Sequence, residues 1–231
     1  MSSPLSIFEI TWHGHACFSI YNKMINLKVF FDPFGTNTGK LELPRNEADI
    51  VLCTHNHFDH NNCEGVAKWD AAKIVQLFGD RNIKDIKIRG VQAFHDEVGG
   101  KKRGTTAIYI VGYGEGVFVH AGDLGHILTD DEIGKIQVFG RPHVLFIPVG
   151  GVYTIGPEDA VTVIRQINPR VAIPMHYYSE KLNPAIFSKL HKVEDFLNYW
   201  DGPVQKFYFS KIEIDVNTLP KETTVYLLKH P

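Results

Sequence analysis

Residues 48–60 read ADIVLCTHNHFDH, a short apolar run that opens into three histidines and an aspartate. A nearly continuous apolar run of this length predicts a buried strand, and a loop that follows such a strand is a common place for a functional site. Imidazole is the commonest metal ligand in proteins, and carboxylate is its natural partner where hard and borderline ligands mix. The stretch therefore predicts a strand that ends in a metal site.

The spacing within this stretch indicates two ions rather than one. His55 and His57 are two positions apart, so their side chains point the same way in extended backbone. His60 follows a turn and can face a second ion, which Asp59 can also reach.

Three further apolar runs end in side chains that can bind metal. IRGVQAFH ends at His95, VFVHAGD ends at Asp123 and RVAIPMH ends at His176. Each is a weak candidate alone, because polar residues are common at strand ends, but the ligands meet if the strand ends converge. The full set of candidate ligands is His55, His57, Asp59, His60, His95, Asp123 and His176. Seven ligands exceed the four that zinc usually takes, and they suit two ions about 3.5–4 Å apart that share a carboxylate.

The remaining pattern predicts one domain over residues 1–231, with two sheets packed on each other and helices outside. Strands dominate the first half, and strand–helix units the second. CEGVAKWDAAK (63–73) and NPAIFSKLHKVEDFLNYW (183–200) are interpreted as helices. Two more helices are predicted, one after the N-cap Thr129 and one that begins near Pro157 and stops at Asn168-Pro169.

Composition excludes several classes of protein. The chain has 231 residues, 44% of them apolar, and a formal net charge of -2, which argues against a general nucleic-acid surface. Its apolar runs are too short to span a bilayer. MSSPLSIFEI lacks the features of a secretory signal, so we expect a cytoplasmic protein. A small-molecule substrate is expected as well, and homo-oligomerisation is left open. Three cysteines without close pairs do not make a disulfide framework.

The motif THNHFDH resembles the T-H-x-H-x-D-H signature of the metallo-β-lactamase superfamily. FFDP at 30–33 is similar to the early aspartate motif of that superfamily, and AFH, HAGD and IPMH follow in the matching order. WHGHACFSI resembles the opening of small metal-dependent hydrolases related to ascorbate-6-phosphate lactonase and N-acylphosphatidylethanolamine phospholipase D. The resemblance implies an αββα sandwich of two mixed sheets, in the α/β class, with helices outside and a dinuclear metal site at one edge.

The same resemblance assigns roles to the candidate ligands. It implies that His55, His57 and His95 hold the first ion, that Asp59, His60 and His176 hold the second, that Asp123 bridges them, and that Asp32 is structural. The ions are expected to be zinc, with manganese, iron and nickel as alternatives. A hydroxide between them would attack a carbonyl or phosphoryl centre, and Asp59 would orient it or shuttle its proton. Asp123 stands where zinc β-lactamases often have cysteine, which disfavours antibiotic hydrolysis.

Several other residues are candidates for a role at the site, and most of them have two interpretations. His15 is the second candidate catalytic residue, as a hydrogen-bond partner of substrate or ligand, or it is structural in its turn. His120 is expected to support Asp123. Tyr153, Thr154 and Tyr177 either contact substrate or pack. The basic run Lys101–Arg103 is either a solvated hairpin tip or an anion clamp for a phosphate-bearing substrate.

The leading functional hypothesis is a dinuclear hydrolase of a small ester, lactone or phosphodiester. The first alternative is a nuclease of the same fold, which would need a basic channel that the net charge disfavours. The second alternative is a non-catalytic module that binds or senses metal. It would need lost ligands, whereas all seven are present.

Overall fold

The computed structural model describes residues 3–231, and within that range the chain forms two mixed sheets, whose strands are numbered in chain order. The first sheet has six strands, in the spatial order β13 (Lys211–Asp215), β1 (Ile7–Gly14), β2 (Cys17–Asn22), β3 (Leu27–Phe31), β4 (Ala48–Cys53) and β5 (Ala67–Val75). The second has eight, in the order β12 (Val204–Lys206), β14 (Thr224–Leu227), β11 (Val171–Met175), β10 (Val144–Pro148), β9 (Gly116–His120), β8 (Thr105–Tyr113), β7 (Ile86–Phe94) and β6 (Gly79–Ile83).

The two sheets pack face to face through aromatic side chains. Burial alternates along β1, where Phe8 faces inward with every second residue after it, as period-2 patterning predicts. The ring of Phe8 lies 4.9 Å from that of Phe118 in the other sheet, and the ring of Phe18 lies 4.2 Å from that of Phe146. This interleaved apolar layer confirms the predicted sandwich.

Short helices flank the two sheets. They are α1 (Cys63–Val66), α2 (Asp130–Ile136), α3 (Pro157–Ile167), α4 (Pro184–Phe187) and α5 (Val193–Tyr199). The predicted start of α3 at Pro157 is confirmed, and Asn168 ends that helix in the left-handed conformation, with φ 52°. No helix in the described part of the chain is long and apolar enough to cross a membrane.

The prediction of a helix over residues 63–73 is wrong beyond its first turn. The helix α1 ends at Val66, and the chain continues as β5, which pairs in parallel with β4 and places Ala72 opposite Ile50. Helix propensity is a weak preference that tertiary pairing overrides, and here the free edge of β4 supplies the hydrogen bonds that a new strand needs.

The single helix predicted over residues 183–200 is two helices, α4 and α5. Between them the backbone N–H of His191 donates to the carbonyl of Gly150, at 2.8 Å, and the carbonyl of His191 accepts from the N–H of Tyr178. These tertiary bonds replace the helical bonds that a continuous helix would make. The sequence reading also missed β13, whose residues Ile212 and Ile214 are buried and which extends the first sheet beside β1.

The start of α2 offers a direct test of the helix signals. The Thr129 hydroxyl accepts from the N–H of Glu132, and the Glu132 carboxylate accepts from the N–H of Thr129, so the predicted N-cap is a capping box. We expect Thr129→Ala to lower the free energy of unfolding by about 1 kcal/mol, and Tm by roughly 2–4 °C, in thermal denaturation. Thr162→Ala, an exposed threonine within α3, is the control and should leave Tm within about 1 °C. Equal shifts in the two variants would contradict the cap.

Candidate metal centre

The predicted ligands lie at the carboxyl ends of strands from both sheets. His55 follows β4 in the first sheet, while His95, Asp123 and His176 follow β7, β9 and β11 in the second. The strands β9 and β11 both run parallel to β10, and β7 has the same direction because each of β7 and β9 is antiparallel to β8. The strand ends therefore converge at one edge of the sandwich, as the sequence analysis expected.

At this edge the candidate ligand atoms form two compact groups, and a third group of His55, His60 and Asp123 joins them. The first group contains His55, His57 and His95, and the second contains His15, Asp59, His60 and His176. Within each group the donor atoms lie within 4.8 Å of one another. The division matches the two sets that the resemblance implied, with His15 added to the second.

Asp123 lies between the two groups. Its Oδ2 atom is 3.2 Å from Nε2 of His95, 3.2 Å from Nε2 of His60 and 3.4 Å from Nε2 of His176. Nε2 of His55 is 3.9 Å from the same oxygen. One carboxylate oxygen therefore touches ligands from both sets, which is the place that a bridging ligand occupies.

A buried carboxylate beneath the site orients two of the histidines. Oδ2 of Asp32 accepts from the Thr54 hydroxyl at 2.7 Å and from Nδ1 of His60 at 2.9 Å, and Oδ1 accepts from the N–H of Thr54. Because the Thr54 hydroxyl donates to Asp32, it accepts from Nδ1 of His55, at 3.0 Å. Both imidazoles thus carry their proton on Nδ1 and turn Nε2 toward the centre, as metal-binding histidines do.

His95 is oriented in the same way by a different partner. Its Nδ1 donates to the backbone carbonyl of Tyr153 at 3.0 Å, which leaves Nε2 free to face Asp123. Tyr153 is itself fixed, because its hydroxyl donates to the carbonyl of Ile186 at 2.8 Å.

Several polar atoms at this centre are buried without a hydrogen-bond partner among the described residues. They include Nε2 of His55, Nε2 of His60, both ring nitrogens of His176 and Oδ1 of Asp123. Most buried polar groups in proteins are hydrogen-bonded, and an unpartnered one costs free energy. Imidazole nitrogens and a carboxylate oxygen are the donors that divalent metals bind. The residues present therefore fit metal ions.

The electrostatics of the centre favour cations. Burial lowers the pKa of His55 to about 3, so its ring is neutral at pH 7 and in the form that binds metal. Burial also acts to lower the pKa of His60, but the carboxylates of Asp123, Asp59 and Asp32 outweigh it and raise that pKa well above its usual value. The negative potential that raises the pKa of His60 would equally attract a metal ion.

The backbone is strained at three residues of this region. His15, Asp32 and His176 have φ values of 51°, 44° and 52°. The left-handed region is uncommon for residues other than glycine and costs roughly 1–2 kcal/mol per residue. Position 150 requires glycine, because the backbone of His176 passes so close that a Cβ atom there would lie 2.0 Å from the carbonyl oxygen of His176. Such strain clusters at functional sites, where the surrounding structure over-determines it.

A cavity of about 400 Å³ opens onto the centre. Four predicted ligands line it: His57, Asp59, His95 and Asp123. Its remaining walls are formed mainly by Arg103, Tyr153, Phe58, Ile186 and Phe187. A larger cavity of about 790 Å³, beside Phe34 and Glu64, is lined by none of the predicted ligands.

His15 lies behind the cavity rather than in its wall. The ring is buried, its Nε2 is 3.0 Å from Oδ2 of Asp59, and it packs 4.0 Å from the ring of His176 and 4.8 Å from that of Phe187. Burial lowers the pKa of His15 to about 4. The ring is therefore neutral at pH 7 and donates a hydrogen bond to Asp59.

The other candidates divide between the site and the core. Tyr153 lines the cavity, whereas Tyr177 is buried against Trp12, with ring centroids 5.3 Å apart. The hydroxyl of Thr154 bonds to the carbonyl of Ile155 and does not line the cavity.

His120 supports the site differently from the expectation. Its Nε2 donates to the carbonyl of Ala16 at 2.8 Å, and its Nδ1 accepts from the N–H of Gly122 at 3.1 Å. The ring thus ties the two sheets together and fixes the backbone one residue before Asp123, but it makes no hydrogen bond to that carboxylate.

The sequence reading missed Asp96, the residue after His95. Its buried carboxylate accepts from four backbone N–H groups, those of Val98, Gly100, Lys102 and Arg103, at 2.8–3.0 Å. An aspartate followed by a glycine-rich segment is the available signal, since Asp side chains cap turns of this kind. The loop 96–103 is therefore built on Asp96.

Comparisons with known proteins agree with the fold and the centre. A family model described as a beta-lactamase superfamily domain matches residues 9–176. A UPF0173 metal-dependent hydrolase of Thermoplasma volcanium is 30% identical, over 79% of this chain and 90% of the relative, and one of Methanopyrus kandleri is 33% identical, over 73% and 84%. The crystal structure of a Thermotoga maritima protein, proposed to be a Zn-dependent hydrolase of the metallo-β-lactamase superfamily, superposes with a TM-score of 0.73 at 31% identity. It covers 96% of this chain and 100% of its own.

A two-sheet sandwich with a histidine- and aspartate-rich centre at its edge defines a class of metal-dependent hydrolases. The chain belongs to the metallo-β-lactamase superfamily and, within it, to the UPF0173 metal-dependent hydrolases. The resemblance carried by THNHFDH is confirmed, and so is the prediction of a hydrolytic enzyme.

The Asp32 network predicts a metal-affinity phenotype for a residue that is not itself a ligand. Asp32→Asn keeps the shape but presents an NH₂ group to one of three donors, so we expect metal affinity to fall about 10- to 100-fold. Competition with a chromophoric chelator at pH 7 measures this. Asp49→Asn is the matched control, since Asp49 is a buried carboxylate that accepts from the N–H of Lys28 away from the centre. Equal metal affinity in the two variants would contradict the role given to Asp32.

Proposed function

We propose that this protein hydrolyses a small ester, lactone or phosphodiester with the help of two divalent metal ions. The observation that carries the proposal is the position of Asp123, whose Oδ2 lies within 3.4 Å of ligands from both groups. A single tetrahedral ion takes about four ligands and would leave buried donors of the other group unpartnered. Two ions account for both groups and for the shared carboxylate.

In this proposal each residue has a defined role. The first ion is held by His55, His57 and His95, and the second by Asp59, His60 and His176, with Asp123 shared. Zinc is the expected ion, and manganese, iron or nickel suit the same nitrogen and oxygen donors. Ions bound here would supply hydroxide at neutral pH, because they lower the pKa of water to about 7, and would stabilise negative charge on the substrate.

The chain's own groups position the reaction. Asp59 faces the cavity and is held from behind by His15, so its carboxylate can orient a water molecule or accept its proton. Phe58, Ile186 and Phe187 form an apolar wall that removes water from the bound substrate. A cavity of about 400 Å³ suits a small molecule. Arg103 is the one cationic side chain that lines it among the described residues, which favours a small substrate over the nucleic acid of the nuclease alternative.

Metal content and turnover test the proposal together. We expect protein purified without added metal to carry about two equivalents by elemental analysis, and to hydrolyse bis-4-nitrophenyl phosphate or members of a lactone panel. His57→Ala and Asp59→Ala should each lower turnover by about 100-fold or more, because each removes a ligand. His191→Ala, which removes an exposed histidine paired with Asp195, should retain both metal and activity.

Two outcomes would contradict this function. One equivalent of metal in the fully active protein would exclude the dinuclear centre. Protein that stays inert on the whole panel after reconstitution with zinc, manganese and nickel would instead favour a module that binds or senses metal.

His15 is proposed as the positioning residue of Asp59. We expect His15→Asn to lower kcat by roughly 10- to 100-fold with KM changed less than about threefold, and to weaken the second metal equivalent rather than the first. Asparagine tolerates the left-handed backbone at this position, so the variant isolates the loss of the ring. His13→Asn is the control, because the His13 ring stacks on Phe30 on the outer side of the sheet and bonds to Ser19. A change in KM with kcat unaltered, or an equal loss of both metal equivalents, would contradict the role.

A further inference from the structure

The three basic residues of the loop 96–103 have different surroundings. Lys101 is exposed, and Lys102 forms an ion pair with Glu97. Arg103 is half-buried and lines the cavity above the metal centre. The four hydrogen bonds to Asp96 fix the backbone that carries Arg103, so its place in the wall does not depend on a flexible tip. Of the basic run, Lys101 and Lys102 are therefore solvated, and Arg103 alone lies where it could contact a substrate.

The guanidinium of Arg103 lies over an aromatic platform. Its Cζ atom is 5.6 Å from the ring centroid of Tyr153, which is within the range of a cation–π contact. The ring is held by the hydrogen bond from its hydroxyl to the carbonyl of Ile186. A cation–π contact uses none of the N–H donors of the guanidinium, so these remain available to a ligand in the cavity.

No carboxylate neutralises this cation among residues 3–231. The guanidinium makes no ion pair and no hydrogen bond to any described residue, although Asp59 and Asp123 line the same cavity. Arginine binds carboxylate and phosphate through paired N–H groups. A half-buried arginine without an anionic partner can therefore bind an anionic group of a ligand.

We propose that Arg103, held on Tyr153, binds an oxyanion group of the substrate, a carboxylate or a phosphate, at a distance from the bond that is hydrolysed. This inference rests on the proposed function and narrows it, because the preferred substrate carries a negative charge as well as the ester, lactone or phosphodiester group. The apolar wall of Phe58, Ile186 and Phe187 takes the carbon skeleton between the two groups.

A matched pair of esters tests the substrate preference. Mono-4-nitrophenyl glutarate and 4-nitrophenyl valerate have acyl chains of the same length, and only the first ends in a carboxylate. We expect Arg103→Gln to raise KM for the glutarate ester about 10- to 100-fold, the range for a charge-assisted hydrogen bond. In the same variant, the kcat for both esters and the KM for the valerate ester should stay within about twofold of the native values. Arg103→Lys should recover part of the affinity, since it keeps the charge but not the paired donors.

Lys101→Gln is the matched control, because it removes the same charge from the same loop without touching the cavity. It should leave the preference for the charged ester unchanged. The effect of Arg103 should also shrink as ionic strength rises, as expected for an accessible charge pair. An effect of equal size in Lys101→Gln would show that only the general charge of the loop matters and would overturn the proposal.

A binding experiment separates this inference from the proposed function. Glutarate, valerate and 3-phosphonopropionate are titrated into the metal-loaded protein by calorimetry. Each has one carboxylate for the metal centre, and only glutarate and 3-phosphonopropionate have a second anionic group. We expect a preference for the second anion that Arg103→Gln removes; a larger gain with the phosphonate identifies phosphate, and an equal or smaller gain identifies carboxylate.

The outcomes distinguish the two claims. If neither ester is hydrolysed but the preference for glutarate or the phosphonate depends on Arg103, the oxyanion site stands and ester hydrolysis fails. If the native protein binds all three compounds equally, or if Arg103→Gln keeps the preference within twofold, the oxyanion site is overturned whatever the protein hydrolyses.

Discussion

The buried carboxylate of Asp32 is the contact on which the geometry of the metal centre depends. It is fully buried, and a carboxylate in that position is costly unless donors surround it. The loop after β4 supplies three donors, two from Thr54 and one from His60. Burial acts to raise the pKa of Asp32, but the charge and the hydrogen bond of His60 outweigh it and lower that pKa. The ionised carboxylate and the fold of the histidine-rich loop therefore stabilise each other.

The same contact explains why a strained residue is tolerated beneath the site. Asp32 follows β3 with a φ of 44°, at a cost that three hydrogen bonds to a charged group offset. The hydroxyl of Thr54, held by Asp32, in turn accepts a hydrogen bond from Nδ1 of His55 and orients its ring. Two predicted metal ligands from one loop are thus oriented by Asp32, which is not itself a predicted ligand, and a change in Asp32 would reach both.

Much of this arrangement is written in local sequence patterns. The spacing of His55, His57 and His60 shows which side chains share a direction, because backbone geometry over a few residues fixes it. The position of the distant candidates His95 and Asp123 at this edge could be predicted because each ends an apolar run, and the ends of strands with the same direction meet at one edge of a sheet. The capping box at Thr129 and the start of α3 at Pro157 are likewise local signals, and the structure confirms them.

The features that escaped prediction depend on contacts between distant segments. Residues 67–75 form a strand because β4 offers an edge, which no property of that segment reveals. The break before α5 is imposed by backbone bonds between His191 and residues far away in sequence. Arg103 could be assigned neither to solvent nor to the site, because the ring beneath it comes from Tyr153, on a loop after another strand. In each case the deciding partner lies too far along the chain for a pattern to show it.

Tyr153 connects the two halves of the proposed site. Its backbone carbonyl accepts from Nδ1 of the ligand His95, and its ring supports the guanidinium of Arg103. An arginine free to swing could pair with Asp123 and compete with metal ions for that carboxylate, because opposite charges attract more strongly at a buried carboxylate than in bulk water. The cation–π contact with the fixed ring of Tyr153 keeps the guanidinium of Arg103 in the cavity wall, and its N–H donors stay available. In the proposed site, the residue that orients His95 thereby also sets the distance between the predicted metal ligands and the cation of Arg103.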